Sequence, residues 1–168
     1  HRDDLGLDLE TYLATIRRKT AVLVGACGSL GARVAGGTDS ASEALGVFGE
    51  RLGIAFQIRD DVFDLDGDAA VVGKSVGRDL AKGKMTLPMI LLLDGADSTV
   101  FSEAVDAFRS RDPEAVLRLL KEGDAITRAI KFATEQGDDA KDAIAGVPLG
   151  GTEALLDDLA DAVVARDR

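Results

Sequence analysis

One stretch limits what this chain can fold into: residues 53–68, Gly53-Ile54-Ala55-Phe56-Gln57-Ile58-Arg59-Asp60-Asp61-Val62-Phe63-Asp64-Leu65-Asp66-Gly67-Asp68. Wound as a helix at about 100° per residue, it gathers Gln57, Asp60, Asp61 and Asp64 into an arc of roughly 100°. Ile54, Ile58, Val62 and Leu65 share a neighbouring arc, and Phe56 and Phe63 fall close together on another side. Little of such a helix is left for water, so it is predicted to be deeply buried. Carboxylates crowded on one face of a buried helix repel one another and lose hydration. They persist only if protonated, paired or bound to cations. Hard divalent cations suit them, and Mg²⁺ held by a few carboxylates usually fills its remaining positions with phosphate oxygens. A diphosphate substrate is the first expectation. An ordinary solvated acidic face is the competing one, in a chain whose net charge is −10.

At 168 residues the chain is long enough for one domain with a sizeable core. Aliphatic and alanine content is high and aromatic content is 4%, which favours a helical bundle over a β-sandwich. The acids are spread along the chain, which argues against a nucleic-acid binder working through a basic face. The single cysteine, Cys27, permits no intrachain disulfide, and a cytoplasmic setting is the default expectation. No run of eighteen apolar residues marks a transmembrane segment.

In chain order, Asp8 is predicted to cap a helix running to about Val34, with Leu9, Leu13, Ile16, Leu23 and Leu30 as its inner stripe and Gly36-Gly37 as its end. Within it, Arg17-Arg18-Lys19-Thr20 places Lys19 and Thr20 about 100° apart, so both can address one anion. Ser40-Ala41-Ser42-Glu43 reads as a capping box opening the central helix, Ala41 to about Leu65. Gly46, Gly49 and Gly53 lower its propensity, and the compensation is expected in close approach of a neighbouring helix or a ligand. Gly73 to Pro88 reads as a basic flap that places ammonium groups on phosphate, although it lacks the Walker A spacing. Pro88 is expected to open an apolar helix, Met89 to Leu93, that Gly95 ends, and further helices are expected from about Thr99 to Arg109, Pro113 to Glu122 and Asp124 to Ala145. Thr152 is expected to cap a last one, with Leu155, Leu156, Leu159, Val163 and Val164 inward. The fold class is all-α. His1 is the only histidine, which weakens any mechanism that needs an imidazole.

The sites follow in the order Lys19-Thr20, then Phe56-Gln57 with Asp60-Asp61-x-x-Asp64, then Gly73-Lys74 with Asp79-Leu80 and Gly83-Lys84-x-Thr86-Leu87-Pro88. This combination resembles the C-terminal half of a trans-type polyprenyl diphosphate synthase. The resemblance implies a helical bundle of the isoprenoid synthase type around a central cavity, usually a homodimer, with two aspartate-rich motifs facing each other. Asp60, Asp61 and Asp64 would be the second motif, binding Mg²⁺ that bridges to an allylic diphosphate. Lys19, Lys74 and Lys84 match basic residues that neutralise that diphosphate. Thr20 and Gln57 match polar residues near the developing allylic cation, and Phe56 matches a ring beside isopentenyl diphosphate.

The family's first aspartate-rich motif and its arginines have no counterpart here, since Asp3-Asp4 lacks the third acid. The expectation is a single all-helical domain over residues 1–168 that forms the C-terminal portion of a longer synthase. Alone it should transfer little or no prenyl group, and it should self-associate through helix faces that the N-terminal half would cover. Two alternatives remain open. One is a non-catalytic or complementing subunit of a heteromeric synthase. The other is a terpene cyclase, whose usual second metal motif Asp60-Asp61-x-x-Asp64 fits poorly.

Overall fold

A computed structural model of the chain describes residues 3–66 and 77–165, and among these the secondary structure is helical. The helices are α1 (Leu9–Ile16), a π-helical segment (Arg17–Ala21), α2 (Val22–Val34), α3 (Asp39–Asp66), α4 (Arg78–Ala81) and α5 (Leu87–Gly95). They continue with α6 (Ser98–Arg109), α7 (Pro113–Glu122), α8 (Ala125–Ile144) and α9 (Glu153–Val164). The chain divides into two compact units, residues 1–12 with 60–130 and residues 13–59 with 131–167.

In the first unit α6 and α7 form a hairpin against which α5 packs. Phe108, Val116, Leu119 and Leu120 are among its most buried side chains, as are Leu87 and Met89 of α5. Local chemistry sets the helix ends. Asp97 accepts from the Thr99 and Val100 N–H groups, and Asp112 from Ala115 with Pro113 in the first turn. Pro88 opens α5 in the same way, behind Thr86 at the N-cap position. Between them, the left-handed Gly83 (φ +68) lies against the Arg111 guanidinium, which also pairs with Asp3 and covers the Phe108 ring at 5.8 Å.

The second unit is built on the contact between α2 and α3. Glycines make it possible: a Cβ on Gly49 would lie 2.7 Å from the Val24 carbonyl oxygen, and one on Gly28 2.3 Å from that of Leu45. The helix-on-helix reading of the α3 glycines therefore holds. Beyond this contact, Ala44, Phe48 and Leu52 form a core with Ala140, Ile144 and Ala160. Asp8 caps α1 through the Thr11 N–H at 2.7 Å, and Gly36 (φ +79) with Gly37 closes α2 by bonds back to Arg33 and Ala32, as the sequence implied.

Three expectations need correction. Leu23 and Leu30 are 69% and 61% exposed rather than inward. The π-helical turn at Arg17–Ala21 inserts a residue into the helical count and advances the phase by about 100°, so the stripe begun by Leu9, Leu13 and Ile16 does not continue. The face that meets α3 is instead the small-residue side, Gly25, Gly28 and Ser29. Secondly, the cap of α3 is Thr38, whose hydroxyl accepts from the Ala41 N–H at 3.1 Å; Ser42 is buried between Ser29 and Arg33. Thirdly, Thr152 occupies the start of α9 but its hydroxyl donates to the Leu149 carbonyl, and Leu155 and Leu159 face solvent. Ala160, with Leu156 and Val163 beside it, supplies the packing.

Alanine substitutions check these statements. Gly53→Ala drives a Cβ to 2.6 Å from the Ala21 Cα and should lower stability by about 1–3 kcal/mol in urea titration. Gly31→Ala, with nothing within 4 Å, should raise it by roughly 0.5–1 kcal/mol. Thr38→Ala should cost about 1 kcal/mol, whereas the exposed Ser40 should tolerate alanine with no comparable loss.

Candidate functional site

The acid-rich end of α3 lies in the first unit. Its three aspartates have different surroundings. Asp61 is 1% exposed, Asp64 is half-buried and Asp60 is exposed. A carboxylate as buried as Asp61 needs partners, and it has them. The Lys84 ammonium donates to Oδ1 at 2.9 Å, and the Tyr12 hydroxyl donates to Oδ2 at 2.8 Å. Lys84 also reaches Asp79 Oδ2 at 2.6 Å. Asp79 in turn is fixed by its own backbone, since its N–H donates to Asp64 Oδ2 at 2.8 Å. The left-handed Gly77 (φ +75) starts this short helix and its N–H donates to the Asp64 carbonyl at 2.7 Å. Residues 77–84 thus fold back on the end of α3 and bring Lys84 to it.

Burial holds the Asp61 carboxyl above its ordinary range, against the pull of Lys84 and Tyr12. Burial works against the Lys84 ammonium, but Asp61 and Asp79 outweigh it and keep the amine protonated beyond its ordinary value. The Tyr12 phenol is pushed well above its ordinary value by burial and by the Asp61 charge. Among the described residues, the Lys84 ammonium is a fixed cation paired with Asp61 and Asp79, with a side chain 36% exposed and so open to an anion.

The second unit carries the remaining candidates. Lys19 is exposed on the π-helical segment, and its neighbour Thr20 donates to Gln57 Oε1 at 3.3 Å. Gln57 is 4% exposed, and Phe56, the residue before it, is 39% exposed. The Gly53 contact with Ala21 lets the π-helical segment lie directly on α3, which brings Thr20 within reach of Gln57 one turn further on. Arg17 pairs bidentately with Glu50, Nε donating to Oε1 and Nη2 to Oε2. Lys74, and with it the Gly73-Lys74 part of the flap, lies outside the described residues.

Among the described residues no three acid, histidine or cysteine side chains converge into a ready-made cation cage. Magnesium does not require one, since it is commonly held by one or two carboxylates with phosphate and water completing the octahedron. Asp60 and Asp64 have the exposure for that role, whereas Asp61 is engaged by Lys84 and Tyr12. Among the described residues, Lys84 pairs with both Asp61 and Asp79, and Asp60 and Asp64 add further negative charge at this end of α3, an excess that favours a cation over a bare anion.

Tyr12 is the residue that the sequence did not single out. Its signal was present: it is the only tyrosine, set beside Leu13 and Ile16 in a helix, and a phenol buried in such a position must find a polar partner.

The profile of the polyprenyl synthetase family matches residues 1–122. The chain is 36% identical over 160 residues to heptaprenyl diphosphate synthase component 2 of Geobacillus stearothermophilus, covering 95% of this chain and 50% of that protein. A crystal structure of a polyprenyl synthase from Roseobacter denitrificans superposes with a TM-score of 0.86 at 34% identity, over 98% of this chain and 55% of that one. A polyprenyl synthase from Caulobacter crescentus, crystallised with calcium and isoprenyl diphosphate, superposes with a TM-score of 0.85 at 33% identity, over 99% and 52%. The chain spans about half the length of the curated relatives it matches. The all-α isoprenoid synthase fold is common to this chain and its structural neighbours, and the chain belongs to the polyprenyl synthetase family.

Proposed function

We propose that this chain supplies the second metal and diphosphate site of a prenyltransferase that elongates an allylic diphosphate with isopentenyl diphosphate. The observation that carries this reading is the Lys84 ammonium held between Asp61 and Asp79, on a flap bonded to Asp64. Family membership and the diphosphate synthases among the relatives support it.

The reaction begins when the allylic C1–O bond breaks and its electron pair leaves with the diphosphate. The charge that develops on the departing oxygens is the main cost, and preorganised cations in a water-poor site reduce it. Lys84 supplies one such cation, partly withdrawn from water and oriented by Asp61 and Asp79. Lys19 and Lys74 would add two more. Asp60 and Asp64 would hold Mg²⁺, which when bound offsets phosphate charge as a Lewis acid. Thr20 and Gln57 would face the allylic cation with their oxygen dipoles, and Phe56 would present a ring to the second substrate. The isopentenyl double bond then attacks C1, a new carbon–carbon bond forms, and a proton is lost from the adjacent methylene. The departed diphosphate is a sufficient acceptor, which suits a chain whose one histidine is His1.

Such a reaction also needs the facing aspartate-rich motif, which these 168 residues do not contain. One relative favours a specific way of supplying it: the heptaprenyl synthase of Geobacillus stearothermophilus is named as a component. A second reading is therefore that this chain acts as one component beside another polypeptide. No described helix is long and apolar enough to cross a membrane.

Binding of inorganic pyrophosphate, followed calorimetrically with and without Mg²⁺, tests the site directly. Lys84→Met should weaken the magnesium-supported affinity roughly tenfold or more, and Asp60→Asn should abolish most of the magnesium dependence. An unchanged magnesium dependence in Asp60→Asn would remove that residue from the metal site. Given Mg²⁺, farnesyl diphosphate and labelled isopentenyl diphosphate, the chain alone should form little or no elongated product. Robust elongation would overturn the requirement for a facing motif.

A further inference from the structure

Tyr12 is 3% exposed. Its hydroxyl donates to Asp61 Oδ2 at 2.8 Å. The other Asp61 oxygen takes the Lys84 ammonium at 2.9 Å. The two carboxylate oxygens therefore have different partners, and any rotation of the carboxylate breaks both bonds. A phenylalanine would fill the same apolar space. What the oxygen adds is a fixed angle for Asp61.

We infer that Tyr12 is a positioning residue for the Lys84 ammonium, acting through Asp61. This rests on the reading that Lys84 receives a diphosphate, but the geometric part stands without ligand. Without the hydroxyl, Asp61 keeps its charge and loses one of the bonds that orient it. The Lys84 ammonium then samples more positions, and the anion it receives must bear the ordering cost.

The test has two readouts on the 168-residue chain. In the ligand-free protein, the side-chain ¹⁵N resonance of Lys84 should shift or broaden in Tyr12→Phe. An unchanged resonance overturns the inference. With magnesium and inorganic pyrophosphate, Tyr12→Phe should weaken binding about tenfold, and it should add little to the effect of Lys84→Met. Fully multiplicative effects, with a lowered Tm as the only other change, identify a merely structural hydroxyl and also overturn it. If the parent chain binds no pyrophosphate, the diphosphate reading fails, and the ¹⁵N resonance still decides the role of Tyr12. Should Tyr12→Phe not fold, 3-fluorotyrosine incorporated at this sole tyrosine gives one ¹⁹F signal. That signal should move on Lys84→Met, and a stationary signal rejects the coupling.

Discussion

The site depends on one buried ion pair, Asp61 with Lys84. A carboxylate removed almost wholly from water is costly, and its partner must be close and well aligned to offset that cost. Removing Lys84 alone would leave a stranded charge, and removing Asp61 alone would leave the lysine tethered to the half-buried Asp79 instead of to the helix core. The pair is therefore a weak argument for stability and a strong one for specificity of position. It fixes where one cation sits, on a loop that the Gly77 turn, the Asp79 N–H and the Arg111–Asp3 strap fold back to the end of α3.

This division of labour among the acids follows from helix geometry. Consecutive residues Asp60 and Asp61 project about 100° apart, so one can enter the core while its neighbour stays in water. The inner acid orients the lysine. The outer ones, Asp60 and Asp64, remain accessible to a hydrated cation that arrives with its phosphate. An acidic motif on a helix is thus a set of different environments rather than a uniform surface, and the exposures of its members differ accordingly.

Much of this was legible in the sequence because helix boundaries are written in local chemistry. Asp8, Gly36-Gly37, Pro88, Asp112-Pro113 and Gly123 mark ends that need no tertiary information. The burial of Ile54, Ile58, Val62 and Leu65 followed from period alone. What period could not give was the π-helical insertion at Arg17–Ala21, because hydrogen-bond register leaves no trace in hydropathy. Leu23 and Leu30 were assigned inward for that reason. The glycine face of α2 was missed for a related one, since apolarity was taken as the mark of contact where smallness was the requirement. In the site, Asp61 and Lys84 were named, but their pairing needs coordinates: a contact across twenty-three residues has no local signature. Lys74 lies outside the described residues, so its part in the flap rests on the resemblance.

The central claim is that Lys84, held by Asp61, marks the seat of a diphosphate. A crystal structure of the chain grown with Mg²⁺ and inorganic pyrophosphate tests it most directly. The account predicts a pyrophosphate oxygen within hydrogen-bond distance of Lys84 Nζ, with the Asp61 contact retained and a metal ion on Asp60 or Asp64. Pyrophosphate bound elsewhere, with Lys84 and the three aspartates touching neither anion nor metal, would contradict it.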